Sequence, residues 1–403
     1  MSSQIRLGVI GYGERARHMV RLMREQDAEV RLAAIADPLG DSLGVQMRAD
    51  GPDTDLPRFY RTADEMLDAE RLDGVVIGTR CSLHAQMAVK VLAREIALFL
   101  EKPVATTMPD LLALRAASSP RVVVSFPLRM SRVVQVAREI VQSGKIGTVE
   151  QVQAWNNVPY GNVYYQTWYR DENETQGMFL QKATHDFDYI NYLLGDNRPR
   201  TVSAMTSKRV FRGQHPAGLH CVDCPENKVC LESPYQPLRP SPLPLNDPAS
   251  LMCAFAVDTG NEDSGSALIE YESGMHVVYS QNFYARNKAA RRGASLIGYN
   301  GTIEFDWYPE QLKVYLHHDT QVETHEFEAD GGHGGGDAML AANFLQVIRG
   351  EAESVSPLEE GLQNALLCLK AKESARTHQF QEIVWPVSSS TPLRISERET
   401  AQL

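Results

Sequence analysis

The sequence predicts an α/β chain: an N-terminal doubly wound parallel sheet, then an α+β domain with a large, open, mainly antiparallel sheet. Three observations predict it. Short apolar runs alternate with helical segments up to about residue 125, longer aromatic strands follow, and 403 residues are enough for two to three domains.

In order, Ile5–Ile10 is a β-rich run that stops at Gly11-Tyr12-Gly13, and Glu14–Arg24 carries apolar residues at helical spacing. Val30–Ala36 is the next strand and stops at Asp37-Pro38. Asp64–Ala69 reads as helix. Leu72–Gly78 is apolar apart from Asp73 and bounded by Gly, as suits a strand covered on both faces. His84–Arg94 is helical, Ile96–Leu100 is a strand ending at Glu101-Lys102-Pro103, Leu111–Ala117 is helical, and Arg121–Ser125 is a strand. Beyond it come the strands Val149–Asn156, Ser266–Tyr271 and Met275–Gln281, a helix at Phe179–Leu194, and closing helices at Ala338–Arg349 and Leu358–Arg376. Residues 212–250 are Pro-rich and irregular, and read as an insertion. The expected organisation is 1–125, 126–388 with that insertion, and a polar, frayed tail over 389–403.

Composition narrows the function. There are 40 basic and 51 acidic residues, a net charge of −11, which argues against nucleic acid as a partner. No apolar run reaches the roughly 18 residues of a membrane span, and the N-terminus lacks a basic region followed by an apolar core. Six cysteines make no disulfide framework, so the expected setting is a reducing cytoplasm.

Gly11-Tyr12-Gly13-Glu14-Arg15-Ala16 spells G-x-G-x-x-A between a strand and a helix. Gly11 permits a tight turn, Gly13 lets backbone approach a pyrophosphate, and the small Ala16 lets helix and strand pack closely. The helix N-terminus offers N–H groups to phosphate. Asp37 ends the second strand 21 residues after Ala16, where a carboxylate accepts from a ribose 2′-hydroxyl and repels a 2′-phosphate. These parts predict a Rossmann domain binding NAD in preference to NADP.

Thr79-Arg80-Cys81-Ser82-Leu83-His84 and Glu101-Lys102-Pro103 follow the third and fourth apolar strands, at the ends where open α/β sheets bind ligands. These residues with Gly11-Tyr12-Gly13, Asp37 and Leu72–Thr79 resemble the glucose–fructose oxidoreductase/inositol dehydrogenase/rhizopine catabolism (Gfo/Idh/MocA) family. The resemblance runs on through Ser143–Gly147, His185-Asp186-Phe187-Asp188, Leu194-Gly195 and Gly298–Glu304. It implies a bound nicotinamide cofactor held by Gly11, Tyr12, Gly13, Ala16, Asp37, Thr79, His84, Glu101 and Lys102. It also implies hydride exchange with a hydroxyl-bearing carbon of a sugar, sugar derivative or cyclitol, and a homodimer or homotetramer built on the open sheet. Lys102 is the implied proton-transfer group. An ammonium beside a cationic ring in a desolvated cleft is expected to lose its proton more readily.

His185 is the second expected catalytic residue, since imidazole transfers protons near neutrality. Many relatives carry Asp four residues before this His; here that position is Gln181. On a regular helix Gln181, Lys182 and Asp188 share a face with His185, and all four are candidate substrate residues. The Lys182–Asp188 run also resembles NAD-recycling glycosidases, so net oxidation and redox-neutral hydrolysis both stay open, beside a non-catalytic NAD-binding regulator on the same fold. Cys221, Cys224 and Cys230 with His220 could complete a structural zinc site, or could be thiols packed in an irregular insertion. His333, in a Gly-rich run before Asp337, is read as a loop residue in preference to a substrate contact, and Arg286, Lys288, Arg291 and Arg292 as a solvated turn.

Overall fold

The computed structural model describes residues 4–50, 56–236, 248–328 and 332–386. They fall into two units: Met1–Ser125 with Leu340–Leu366 and Val384–Leu403, and Phe126–Met339 with Leu367–Ile383. The expected tail over 389–403 and the middle of the insertion lie outside the described residues.

Among its described residues the first unit has one six-stranded sheet. Its strands are β1 (Ile5–Ile10), β2 (Val30–Ala36), β3 (Arg58–Tyr60), β4 (Gly74–Ile77), β5 (Ala97–Leu100) and β6 (Val122–Val124). They lie in the order 3-2-1-4-5-6, every pair parallel, so the order reverses between β1 and β4. That reversal is where doubly wound sheets open a crevice for a ligand. β4 and β5 are buried at every position, as expected for strands covered on both faces. Helices cover the faces; one, from Leu340 to Arg349, lies directly on Gly74. A Cβ there would stand 2.6 Å from Ile348 Cδ1 and 3.0 Å from Phe344 Cζ. The Val124 N–H donates to Ser356 O at 2.8 Å, extending pairing beyond β6.

The second unit is built on β7 (Val149–Asn157), β8 (Pro199–Ser207), β9 (Ser264–Tyr271), β10 (His276–Asn282), β11 (Arg291–Gly298), β12 (Gly301–Asp306), β13 (Gln311–Leu316), β14 (Val322–Glu326) and β15 (Gln381–Glu382). Among the described residues they form one sheet in the order 14-13-12-11-7-10-9-8-15, antiparallel except for the β7–β10 pair. Alternate residues face inward: Val152 and Ala154 on β7, Val277 and Tyr279 on β10, Ala294 and Leu296 on β11. They pack against Phe187, Ile190 and Leu193 of the helix Thr184–Leu194. The helix expected over Phe179–Leu194 is not uniform. Phe179–Ala183 is a π-helical turn, and the α-helix starts at Thr184. Among the described residues no helix is long and apolar enough to cross a membrane.

That helix is buried along most of its length and carries two acids, both paired. Asp186, fully buried, accepts from Asn156 Nδ2 at 2.7 Å, the Tyr279 hydroxyl at 2.8 Å and Arg292 Nε at 2.8 Å. Asp188 is bound by the Arg129 guanidinium at both oxygens, with Arg129 Nε 3.0 Å from Oδ2. Arg129 and Asp188 are each 2% exposed. Stranding one partner of such a pair leaves an uncompensated buried charge, at a cost of about 3–5 kcal/mol. Asp188→Ala is therefore expected to lower unfolding free energy by about that amount in denaturant titrations. The double change Arg129→Met, Asp188→Leu should recover most of the loss. Equal losses in the single and double variants would contradict this.

Candidate active site

In the first unit the turn after β1 has the form a dinucleotide requires. Gly11 adopts φ +79°, and its Cβ would lie 2.7 Å from the Thr79 backbone nitrogen, so only glycine fits. Gly78 packs on Ala16; a Cβ at Gly78 would meet Ala16 Cβ at 2.8 Å. Gly13 differs. A Cβ there would meet nothing closer than the Gly78 carbonyl at 3.8 Å, so the missing side chain serves an approaching group and not internal packing. Gly13 is also the N-cap of the helix Glu14–Gln26, and having no side chain it supplies no side-chain cap. Uncapped donors at a helix N-terminus suit phosphate.

Asp37 stands at the end of β2 beside this turn. Its Oδ2 accepts the Tyr12 N–H and its Oδ1 the Leu39 N–H, both at 2.9 Å. Each oxygen keeps a lone pair for a further donor, as a ribose hydroxyl would be. The pyrophosphate and ribose ends of NAD thus both find suitable groups.

The strand ends beside the turn are braced. Arg15, in the first turn of that helix, donates to Glu101 Oε1 at 2.9 Å and to Ser125 Oγ at 3.0 Å. Glu101, 6% exposed, is thereby tied to the cofactor turn, and the half-buried Lys102 follows it. His84 is buried, with Nδ1 2.8 Å from Pro103 O and Nε2 3.2 Å from Thr79 O. Burial, above all, holds its imidazole below the ordinary histidine range. Both ring nitrogens are turned to backbone carbonyls, so His84 fastens the turn after β5 to the turn after β4 rather than offering a nitrogen to the cofactor.

In the second unit the π turn redistributes the expected substrate residues. An i→i+5 turn advances each residue by a smaller angle than an α turn, so the regular face shared by Gln181, Lys182, His185 and Asp188 does not persist. Lys182, 4% exposed, donates to the Tyr160 hydroxyl at 2.5 Å. Burial pushes the Lys182 ammonium below the ordinary lysine range, although Tyr160 pulls the other way. Tyr160 is held below the ordinary tyrosine range because the Lys182 and Arg292 cations outweigh its burial. The two form a proton-sharing pair. Gly161 lets the Tyr160 loop dock, since a Cβ there would fall 1.9 Å from Phe283 O.

His185, 7% exposed, lies edge-on to Phe126 and has the His333 ring 5.9 Å from its own, centre to centre. His333 Nδ1 is 3.0 Å from Asp337 Oδ2, and that acid is 3% exposed. Gln181 is buried on the π turn. Asp188 is buried, with each of its oxygens accepting from Arg129. Arg292 leaves the solvated turn, because it is bound to Asp186 inside the sheet. Two groups were missed by the sequence reading. Tyr160 gives no motif, and its partner lies 22 residues away. His333 and Asp337 were in view four residues apart, but His333 adopts φ +56°, outside helical geometry, so helical spacing gave no signal of their pairing.

The expected zinc ligands are also rearranged. All six cysteines lie in the described residues, and no two are joined by a disulfide. Among the described residues no three His, Cys, Asp or Glu side chains already stand in metal-holding geometry. Cys221, Cys224 and Cys230 line one small cavity together with Cys253, whereas His220 is not part of its lining.

The chain matches two family models: an oxidoreductase-family NAD-binding Rossmann fold over residues 5–125, and an oxidoreductase-family C-terminal alpha/beta domain over residues 138–383. It is 28% identical over 328 residues to the oxidoreductase YteT of Bacillus subtilis, covering 72% of this chain and 76% of that protein. It is 27% identical over 218 residues to the rhizopine catabolism protein MocA of Rhizobium meliloti, covering 52% of this chain and 63% of MocA. Among solved structures, a levoglucosan dehydrogenase in complex with NADH and levoglucosan superposes with a TM-score of 0.74 at 18% identity, over 94% of this chain and 99% of that one. The uncapped glycine turn and both family matches make this chain a member of the Gfo/Idh/MocA oxidoreductase family, with an NAD-binding Rossmann domain at its N-terminus.

Proposed function

We propose that the chain is an NAD-dependent oxidoreductase exchanging hydride with a hydroxyl-bearing carbon of a sugar, sugar derivative or cyclitol. The observation that carries this reading is the turn after β1: glycine where only backbone fits, an open Gly13, an uncapped helix N-terminus, and Asp37 at the end of β2. The kinship with rhizopine-catabolism and levoglucosan-oxidising proteins supports the substrate class. NAD, when bound, supplies or accepts the hydride.

The chain's own residues then handle the proton. Oxidising a hydroxyl releases one proton per hydride, and a positioned base that takes it contributes about a hundredfold or more. Lys102 is assigned that proton at Nζ, next in the chain to a glutamate tied to the cofactor turn. His185, with the His333–Asp337 pair beside it, is assigned as the acid–base group of the second unit. An imidazole held by a buried carboxylate keeps one tautomer and one orientation.

The buried Lys182–Tyr160 pair favours a second reading, redox-neutral glycoside cleavage. That chemistry needs a further base to remove a proton next to a transient ketone and a further acid to release the aglycone. Steady aglycone release without NADH accumulation would favour it; NADH formation matching product would favour net oxidation. The outer face of the second sheet, where Met205, Leu268 and Val278 are exposed, is where we place a second copy in a homodimer or homotetramer.

NAD should bind more tightly than NADP, and Asp37→Ala should narrow the gap in calorimetric titrations of both cofactors; equal affinities in the unsubstituted protein would remove Asp37 from the reading. Lys102→Met should keep NAD affinity while cutting turnover by roughly a hundredfold or more. His185→Ala should also slow turnover, and the double variant should lose less than the two losses combined if both groups serve one transfer. A near-parental rate in Lys102→Met would show a lysine that merely precedes a proline turn.

A further inference from the structure

The geometry points to a structural zinc site made by the four thiolates of Cys221, Cys224, Cys230 and Cys253, independent of the redox reading. Three come from one stretch, with two residues between Cys221 and Cys224 and five between Cys224 and Cys230, and the fourth from the segment before β9. The His220–Met252 bridge and the Cys221 N–H to Leu251 O bond, 2.8 Å, hold those two stretches side by side.

All four line one cavity of ≈10 Å³. That is about the space of one water-sized centre, enough for a single ion and too small for a multi-iron cluster. Polar groups already face the Cys221 sulfur, which as a thiol donates to Met252 O at 3.3 Å. The Gln166 side-chain amide donates to Cys221 Sγ at 3.3 Å. Such donors orient metal-bound sulfur and spread its charge.

Four thiolates around a divalent cation carry a net charge of −2, which needs a nearby cation when buried. Arg170 supplies it. It is 4% exposed, lies close enough to Cys253 and Cys221 to feel their charge, and gives Nη2 to Asp258 and Thr259. Its Nε and Nη1 are buried with no hydrogen-bond partner. Two guanidinium donors are thus left over, near Cys221 and Cys253, on a side chain already paired with Asp258 through Nη2. In a zinc–thiolate site they balance the excess charge. An ion would displace the thiol protons and draw the sulfurs inward.

The site would staple the insertion to the helix Val163–Gln166, which follows the Tyr160 loop. Gln166 already bonds Glu232 O at 2.9 Å and accepts the Met252 N–H at 2.9 Å. Elemental analysis of the full chain, purified in reducing buffer without chelator, should find about one zinc per chain. Cys253→Ser should lower it at least tenfold, while Cys368→Ala, outside the cavity, should leave it unchanged. Should Cys253→Ser fail to fold, cobalt exchange into the unsubstituted chain decides: the intense visible and near-ultraviolet bands of a tetrahedral four-thiolate site are expected. A folded chain with neither zinc nor those cobalt bands would overturn the proposal. So would a full complement of zinc in folded Cys253→Ser, iron in place of zinc, or disulfides among these cysteines by intact mass.

Discussion

Desolvation of charge is the constraint on which the second unit depends. The turn and helix from Phe179 to Leu194 place Lys182, His185, Asp186 and Asp188 inside a protein core, and none of them can stay charged there alone. The fold answers each differently. Asp188 takes Arg129 from the segment before the first helix of the unit. Asp186 takes Arg292, Asn156 and Tyr279 from three adjacent strands. These bonds set the helix against the sheet and fix its rotation. With the two acids satisfied, Lys182 and His185 are the other buried polar groups of this stretch. One is held by a phenol, the other flanked by an imidazole that is itself held by an acid.

In the first unit the glycine turn works by subtraction of side chains, and an Arg15–Glu101 ion pair braces the strand ends beside it. At Gly11 and Gly78 the glycine is required by the chain's own packing, and at Gly13 it is not. That contrast separates a turn that is merely tight from one left open for a ligand. The bracing of Glu101 by Arg15 and of Pro103 by His84 then keeps the turn after β5 in a fixed place relative to the open backbone.

What was legible in the sequence follows from how local the determinants are. Five strands of the parallel sheet were readable because each carries its own apolar run and each turn its own punctuation; β3, Arg58-Phe59-Tyr60, has no such run and was missed. The glycine turn and Asp37 lie within one βαβ unit. The pairing of the nine-stranded sheet was not readable, because it depends on contacts between distant strands. The π turn was hidden, since Phe179–Ala183 is as compatible with an α-helix by residue type. Asp188 looked like a substrate ligand because its true partner, Arg129, lies 59 residues earlier. Position 181 carries Gln where many relatives carry an acid four residues before this His. The structure instead brings in His333 and Asp337 from the far end of the unit, which no spacing rule around His185 could have found. Cys253 was overlooked for the same reason.

Sorting of the buried charges into two locked acids and one proton-sharing pair is the central claim, and NMR titration of the lysine side chains tests it most directly. With Lys182 assigned by substitution, its ε-carbon resonance should titrate below the other lysines, because burial disfavours its ammonium. In Tyr160→Phe it should titrate lower still, since burial remains while the partner that favours the charged form is gone. A Lys182 that titrates with the surface lysines, or that is unmoved by Tyr160→Phe, would contradict the account.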